Sequence, residues 1–177
     1  MNFLVVTGLS GAGKSMAANV LEDIGYFCID NIPAGLLPRL VDFALQGENQ
    51  LQRVAVVMDI RGLRSRGAVE TALQALDDKK MEYGILFLDA SDAVIRRRYK
   101  ETRRIHPMAQ GGQLPIDEAI RREREILQPL RERAKYLIDT SQLSASQNRA
   151  RICSLFLGQD QCPMSLTILS FGFKYGL

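Results

Sequence analysis

One octapeptide constrains this chain more than any other stretch. Gly8-Leu9-Ser10-Gly11-Ala12-Gly13-Lys14-Ser15 stands between a short apolar run, Phe3-Leu4-Val5-Val6-Thr7, and a segment where Met16, Ala17, Val20, Leu21 and Ile24 recur at helical spacing. A strand, a glycine-rich turn and a helix in that order, with the spacing G-x-x-x-x-G-K-S/T, make a loop that wraps an anion. The glycines let the backbone turn its N–H groups inward toward phosphate oxygens. Lys14 supplies a point charge for the β- and γ-phosphates. The Ser15 hydroxyl is a magnesium ligand, and the start of the helix adds a positive potential. Gly25 is placed to end that helix.

Further along, apolar strands alternate with helices. Tyr26-Phe27-Cys28-Ile29, residues 53–59, residues 84–89 and Tyr136-Leu137-Ile138-Asp139 read as strands. Helical stripes run through Leu36, Leu37, Leu40, Val41, Ala44 and Leu45 up to Gly47, and through Val69, Ala72, Leu73 and Leu76. Two charged helices are expected near 92–104 and 116–134, with Pro129 kinking or splitting the second. Ser144 and Gln147 form a capping-box pattern for a helix ending at Gly158. Near-continuous apolar strands separated by helices predict an α/β fold, an open parallel sheet of P-loop NTPase or kinase type with helices on both faces. The expected domain is 1–158. Residues 159–164 read as a linker and 165–173 as the first strand of a truncated C-terminal domain.

The three cysteines, Cys28, Cys153 and Cys162, contain no C-x-x-C pair, which argues against a zinc site or disulfide framework and fits a reducing cytoplasm. Cys28 reads as a core residue. No apolar run approaches a membrane span of roughly 18–20 residues, and no secretory leader is evident. A net charge of +3 does not by itself imply nucleic-acid binding.

Ligands of open α/β sheets sit outside the carboxyl ends of the strands, so acidic residues there are candidates. Asp59 closes the third strand, where a carboxylate orders the magnesium shell; Ile60, Arg61 and Gly62 follow, and Arg61 can reach a phosphate. Asp30 follows the second strand, as a second magnesium-shell group, a base for an acceptor hydroxyl, or, with Asn31, a helix N-cap before Pro33. The candidate catalytic residues are Lys14, Asp59 and Asp30, and the candidate metal ligands Ser15 and Asp59. Residues 96–104 are dense in positive charge, and Arg97, Arg103 and Arg104 are the candidates for an arginine-bearing lid over a triphosphate, with Gly111-Gly112 at its tip. Alternatively the run is an RNA-binding surface, or a solvated face whose arginines pair with Glu101, Glu123 and Glu125. His106, the single histidine, reads as a surface-loop residue. Asp139-Thr140-Ser141 falls where P-loop folds place the purine base. The Asn-Lys-x-Asp pattern of small GTPases is absent, and both ATP and GTP stay open.

Several strings together resemble the RapZ/YvcJ family of bacterial P-loop proteins, the RNase adapter proteins. Besides residues 8–15 they are the segment 21–33 with Asp30-Asn31-Ile32-Pro33, Leu86-Phe87-Leu88-Asp89-Ala90, Tyr99-Lys100-Glu101-Thr102-Arg103-Arg104-Ile105-His106-Pro107, Leu137-Ile138-Asp139-Thr140-Ser141, and Ser170-Phe171-Gly172-Phe173-Lys174-Tyr175-Gly176. The resemblance implies slow hydrolysis of ATP or GTP, with residues 8–15 contacting ATP and residues 59–62 contacting GTP. It also implies small RNA and protein partners, reached through a C-terminal region beyond the Phe-Gly-Phe string. The leading expectation is therefore a cytoplasmic, magnesium-dependent nucleotide-binding module with slow NTPase activity and a regulatory role, with oligomerisation open. The alternatives are a small-molecule kinase using Asp30 as base, and an RNA-binding adapter in which nucleotide is secondary.

Overall fold

Val5 shows how the sheet is built. In the computed structural model it pairs with Val56 on one side and Ile85 on the other, so the first strand is central. The structure describes residues 2–46, 53–63, 65–79, 82–109 and 114–157. Its elements are β1 (Asn2–Gly8), α1 (Lys14–Asp23), β2 (Phe27–Ile29), a 3-10 turn (Ala34–Leu36), α2 (Leu37–Gln46), β3 (Arg53–Val57), α3 (Arg66–Asp78), β4 (Tyr83–Asp89), α4 (Asp92–Thr102), a second 3-10 turn (Pro107–Ala109), α5 (Ile116–Glu132), β5 (Tyr136–Asp139) and α6 (Ala145–Phe156). All pairings are parallel, in the order β2-β3-β1-β4-β5.

Helices pack on this sheet in two groups, α1 with α6 and α3 with both α2 and α5. That coverage explains why β1 does not alternate: Phe3, Leu4, Val5 and Val6 are all buried, so both strand faces are apolar. The expected α/β parallel sheet is the architecture found. Parallel strands end on one edge of the sheet, which gathers the residues after β1, β2, β3, β4 and β5 into one region.

Local signals explain the element ends. Gly25 adopts φ +88, its N–H bonds the Glu22 carbonyl at 2.9 Å, and the Tyr26 N–H bonds that of Leu21 at 2.9 Å. These paired bonds stop α1 in a left-handed C-terminal cap. At the start of α6, Ser144 accepts from the Gln147 N–H while the Gln147 side chain accepts from the Ser144 N–H. Pro129 does not split α5, which runs unbroken from Ile116 to Glu132. The proline sits in the last turn, where its missing N–H forfeits a single intrahelical bond.

Cys28 lies on edge strand β2, half-buried against the core, with its thiol 3.5 Å from the Ala18 carbonyl. Burial, aided by Glu22 and Asp30, pushes the thiol up to about 11. Its thiolate fraction at pH 8 is then about a hundredfold below that of an ordinary cysteine thiol. Timed alkylation at pH 8 read by mass spectrometry is expected to label Cys28 about a hundredfold more slowly than a free thiol. Equal rates would contradict the burial assigned to it.

Among the described residues no helix is long and apolar enough to cross a membrane. The 159–164 linker, the 165–173 strand, the 170–176 string, the domain end at 158 and the Gly111-Gly112 tip lie outside the described residues.

Candidate functional site

The loop after β1 is shaped by its carbonyl oxygens. Gly8 has φ +140 and lies against β4 so closely that a Cβ there would sit 2.0 Å from the Leu88 carbonyl oxygen. The next N–H, of Leu9, bonds that same oxygen at 3.1 Å. Gly11 and Gly13 are left-handed, with φ +86 and +103. The Lys14 ammonium donates to the carbonyls of Gly8 (2.7 Å) and Leu9 (3.1 Å). Arg98 of α4 donates to the Gly11 carbonyl at 2.8 Å and to Thr140 at 3.1 and 2.9 Å. The Thr140 hydroxyl donates to the Ala12 carbonyl at 3.0 Å. These bonds engage four of the loop's carbonyls. α1 then begins at Lys14 with no side-chain cap on Gly13 and no acidic residue in its first turn. Its positive end is left unneutralised, the setting in which helix N-termini bind phosphate.

Acidic groups stand opposite. Asp59 follows β3 and accepts from the N–H groups of Arg61 (2.9 Å) and Gly62 (3.3 Å), with the Arg61 guanidinium 3.8 Å away. Asp30 follows β2, is exposed, and accepts from the Asn31 N–H at 2.7 Å. Burial lowers the Lys14 pKa, while Glu123, Asp59 and Asp30 pull it back up. Both candidate aspartates thus act on the lysine electrostatically. The N-cap alternative for Asp30 and Asn31 is not what forms. The 3-10 turn is preceded by Pro33 without a side-chain cap, and Asp30 bonds its own neighbour instead.

Two clefts flank the loop. One, of about 310 Å³, is lined by Gly13, Lys14, Ser15, Arg98, Tyr99 and Arg104 among others. The second, of about 260 Å³, is lined by Ala12, Arg98, Thr140, Ser144 and Asn148 among others. Asn148 is 3% exposed, and its Oδ1 is buried with no hydrogen-bond partner among the described residues. Of the three candidate lid arginines, Arg104 alone lines the first cleft. Arg97 lies 3.8 Å from Glu101 on the exposed side of α4, and Arg103 is the left-handed residue that ends the helix. Arg98 was not among the sequence candidates, although it lies four residues after buried Val94 and three after buried Ile95, on the inward face. Replacing Arg98 by Ala is expected to lower stability by about 2 kcal/mol, since three bonds to a charged donor are lost. Urea unfolding checks this, and an unchanged midpoint would contradict the bracing role.

His106 overturns its surface-loop reading. It is 2% exposed, and its Nε2 lies 3.0 Å from Glu123 Oε2. Glu123 does not pair with the α4 arginines either. It is fully buried and accepts from the Ser10 N–H (3.0 and 3.1 Å) and the Ser10 hydroxyl (2.6 Å). Burial pushes the Glu123 carboxyl up, yet hydrogen bonds from His106 and Ser10 and the Lys14 charge outweigh it and hold it below 4.5. The sequence carried a signal for this. Glu123 falls between Ile120 and Leu127 on the apolar stripe of α5, where a carboxylate is out of place unless paired.

The likenesses to known proteins agree with this geometry. Among solved structures, the fold resembles shikimate kinase from Acinetobacter baumannii in complex with shikimate, with a TM-score of 0.57 and 19% identity, over 90% of this chain and 94% of that one. It also resembles the Deinococcus radiodurans tunicamycin resistance protein, with a TM-score of 0.55 and 16% identity, over 92% and 99%. The architecture is thus of P-loop kinase type. A curated relative from Halothermothrix orenii, named nucleotide-binding protein, is 46% identical over 181 residues, covering 100% of this chain and 62% of that protein. The chain spans about three fifths of the length of the curated relatives it matches. Residues 1–160 match the family model described as the RapZ-like N-terminal domain. On that match, and on near-half identity along its whole length, the chain belongs to the RapZ-like family.

Proposed function

We propose that this chain binds a nucleoside triphosphate with magnesium, hydrolyses it slowly, and acts as a regulatory module. The observation that carries the reading is the phosphate loop. Its carbonyls are engaged by Lys14, Arg98 and Thr140, and it leads into an uncapped helix start. Relatives named nucleotide-binding protein support it. In this reading the phosphates lie along residues 8–15, with Lys14 transferring its ammonium from the Gly8 and Leu9 carbonyls to phosphate oxygens. The purine fits the cleft beside Thr140 and Asn148, where an orphaned acceptor oxygen matches an amino or imino donor of a base.

Among the described residues there is no cluster of three His, Cys, Asp or Glu that could hold a metal. Magnesium bound by one or two protein ligands plus substrate phosphates needs no such cluster. Ser15 and Asp59 are the residues we assign to it, and the ion supplies charge neutralisation at the phosphates. We assign Asp30 and Asp59 the role of orienting an attacking water, and Arg104, which lines the cleft beside Lys14 and Ser15, that of a lid arginine closing over the phosphates. We assign residues 59–62 a contact with the terminal phosphates or with a second nucleotide. The cytoplasm is the setting we propose.

A kinase is the second reading. A groove of about 540 Å³ lined by Asn31, Pro33, Arg61, Gly62 and Ala68 adjoins the Asp59 turn and offers room for an acceptor. For the longer relatives, small RNA, a protein partner and a second copy are proposals attached to the region beyond this module. The α4 arginines give RNA little support: Arg96 lies 3.3 Å from Asp117, Arg97 pairs with Glu101, and Arg98 braces the loop.

Phosphate release from ATP and GTP, with and without a panel of hydroxylated small molecules, tests the reading. Slow release independent of any acceptor is expected. Rapid ADP or GDP formation only with one acceptor would replace the module with a kinase.

A further inference from the structure

We propose that Glu123 and His106 form a latch that couples the phosphate loop to the arginine-bearing segment between α4 and α5, which makes both of them positioning residues for the bound nucleotide. The coupling rests on the nucleotide reading above, while the latch itself stands on geometry.

Glu123 occupies a position where the stripe Ile120, Leu127 and Leu130 calls for an aliphatic side chain. A buried carboxylate there is costly unless every lone pair is used. Among the described residues its hydrogen-bond partners come from two places. Ser10 of the phosphate loop, 113 residues away, gives its N–H and its hydroxyl, and His106 gives its Nε2–H. The histidine is oriented from behind. The Met108 N–H donates to His106 Nδ1 at 3.2 Å, so Nδ1 is the bare nitrogen and Nε2 carries the proton that Glu123 accepts. The Lys14 charge further favours the carboxylate form of Glu123.

A second contact runs in parallel. The His106 ring stacks obliquely on Tyr99, with centroids 5.1 Å apart. Tyr99 lines the first cleft and closes on Gly11, where a Cβ would lie 3.3 Å from its ring. His106 is two residues from Arg104, which lines the same cleft. The route is therefore Ser10 to Glu123 to His106 to Arg104. Phosphate arriving at the loop competes with Glu123 for the Lys14 charge, and the change reaches the lid arginine through one buried imidazole. Two sites biasing one shared element is the physical requirement for such coupling.

The chain contains one histidine, so its imidazole spectrum is a direct readout. In the ligand-free chain, 15N NMR of labelled histidine is expected to show the neutral Nε2–H tautomer. Magnesium with a non-hydrolysable ATP or GTP analogue shifts these resonances in the wild type and leaves them unmoved in Lys14→Ala. His106→Ala weakens analogue binding roughly tenfold, and His106→Gln, whose amide can donate to Glu123 and accept from Met108, restores it to within about threefold. An Nδ1–H tautomer or a charged ring at neutral pH overturns the latch. Analogue binding without an imidazole response, or unchanged affinity in a folded His106→Ala variant, overturns the coupling alone. No binding of either analogue to the wild type overturns the nucleotide reading and the coupling with it, and the tautomer still decides the latch.

Discussion

In the Lys14→Ala variant, affinity for ATP and GTP analogues is expected to fall by roughly a hundredfold or more, about 3 kcal/mol, with the fold retained. The loss follows from geometry. The Lys14 ammonium is parked on the Gly8 and Leu9 carbonyls of the loop, from which it can transfer to phosphate. Retention of the fold follows from the pKa. Burial lowers Lys14 from 10.5, so its charged form is less favoured in the folded chain than in the unfolded one. The resulting cost is fully present below the folded value and disappears as pH rises through it toward 10.5. Removing the lysine removes that cost but also takes away a charge that favours buried Glu123, so the two effects oppose and the thermal midpoint at neutral pH is expected to change little. Calorimetric titration and a thermal melt check both halves. Unchanged affinity would sink the site assignment.

Gly8→Ala is expected to damage fold and site together. A Cβ at 2.0 Å from a backbone oxygen cannot be relieved by a side-chain rotation. Either β1 separates from β4 at its carboxyl end or the loop leaves its path. The positive φ of +140 adds strain for any residue with a side chain. A loss of about 3 kcal/mol or more in unfolding free energy is expected, with analogue binding abolished. Urea unfolding of both proteins measures it, and a variant as stable as wild type that still binds would show that the loop is not pinned against β4.

What was legible in the sequence was what short-range pattern encodes. The apolar runs named all five strands: the central ones, β1, β3 and β4, are buried on both faces and write themselves as near-continuous apolar residues, while the edge strands β2 and β5 are short and partly exposed. Gly25 and the Ser144–Gln147 pair named helix ends because caps are local chemistry. Residues 8–15 named the site because a phosphate cradle needs its glycines at fixed spacing. The bracing shell was harder to see. The bonds from Arg98 to Gly11 and from Ser10 to Glu123 span 87 and 113 residues, and no local periodicity reports such pairs. Two clues were available all the same. Arg98 and Glu123 both lie on the inward faces of their helices, among Val94 and Ile95 in α4 and Ile120 and Leu127 in α5. A charge on an apolar stripe asks for a partner, and here the partner was the phosphate loop. His106 reads as a surface-loop residue because no Ser, Asp or Cys partner is evident in the sequence; its actual partner, Glu123, lies 17 residues on in α5.

The central claim is that the loop after β1 is a working triphosphate site, and calorimetric titration with non-hydrolysable ATP and GTP analogues, each with magnesium, tests it most directly. Saturable binding of at least one analogue to the wild-type chain, lost in Lys14→Ala, is the predicted result. A folded wild-type sample that binds neither, or a Lys14→Ala variant that binds as tightly as wild type, would contradict it.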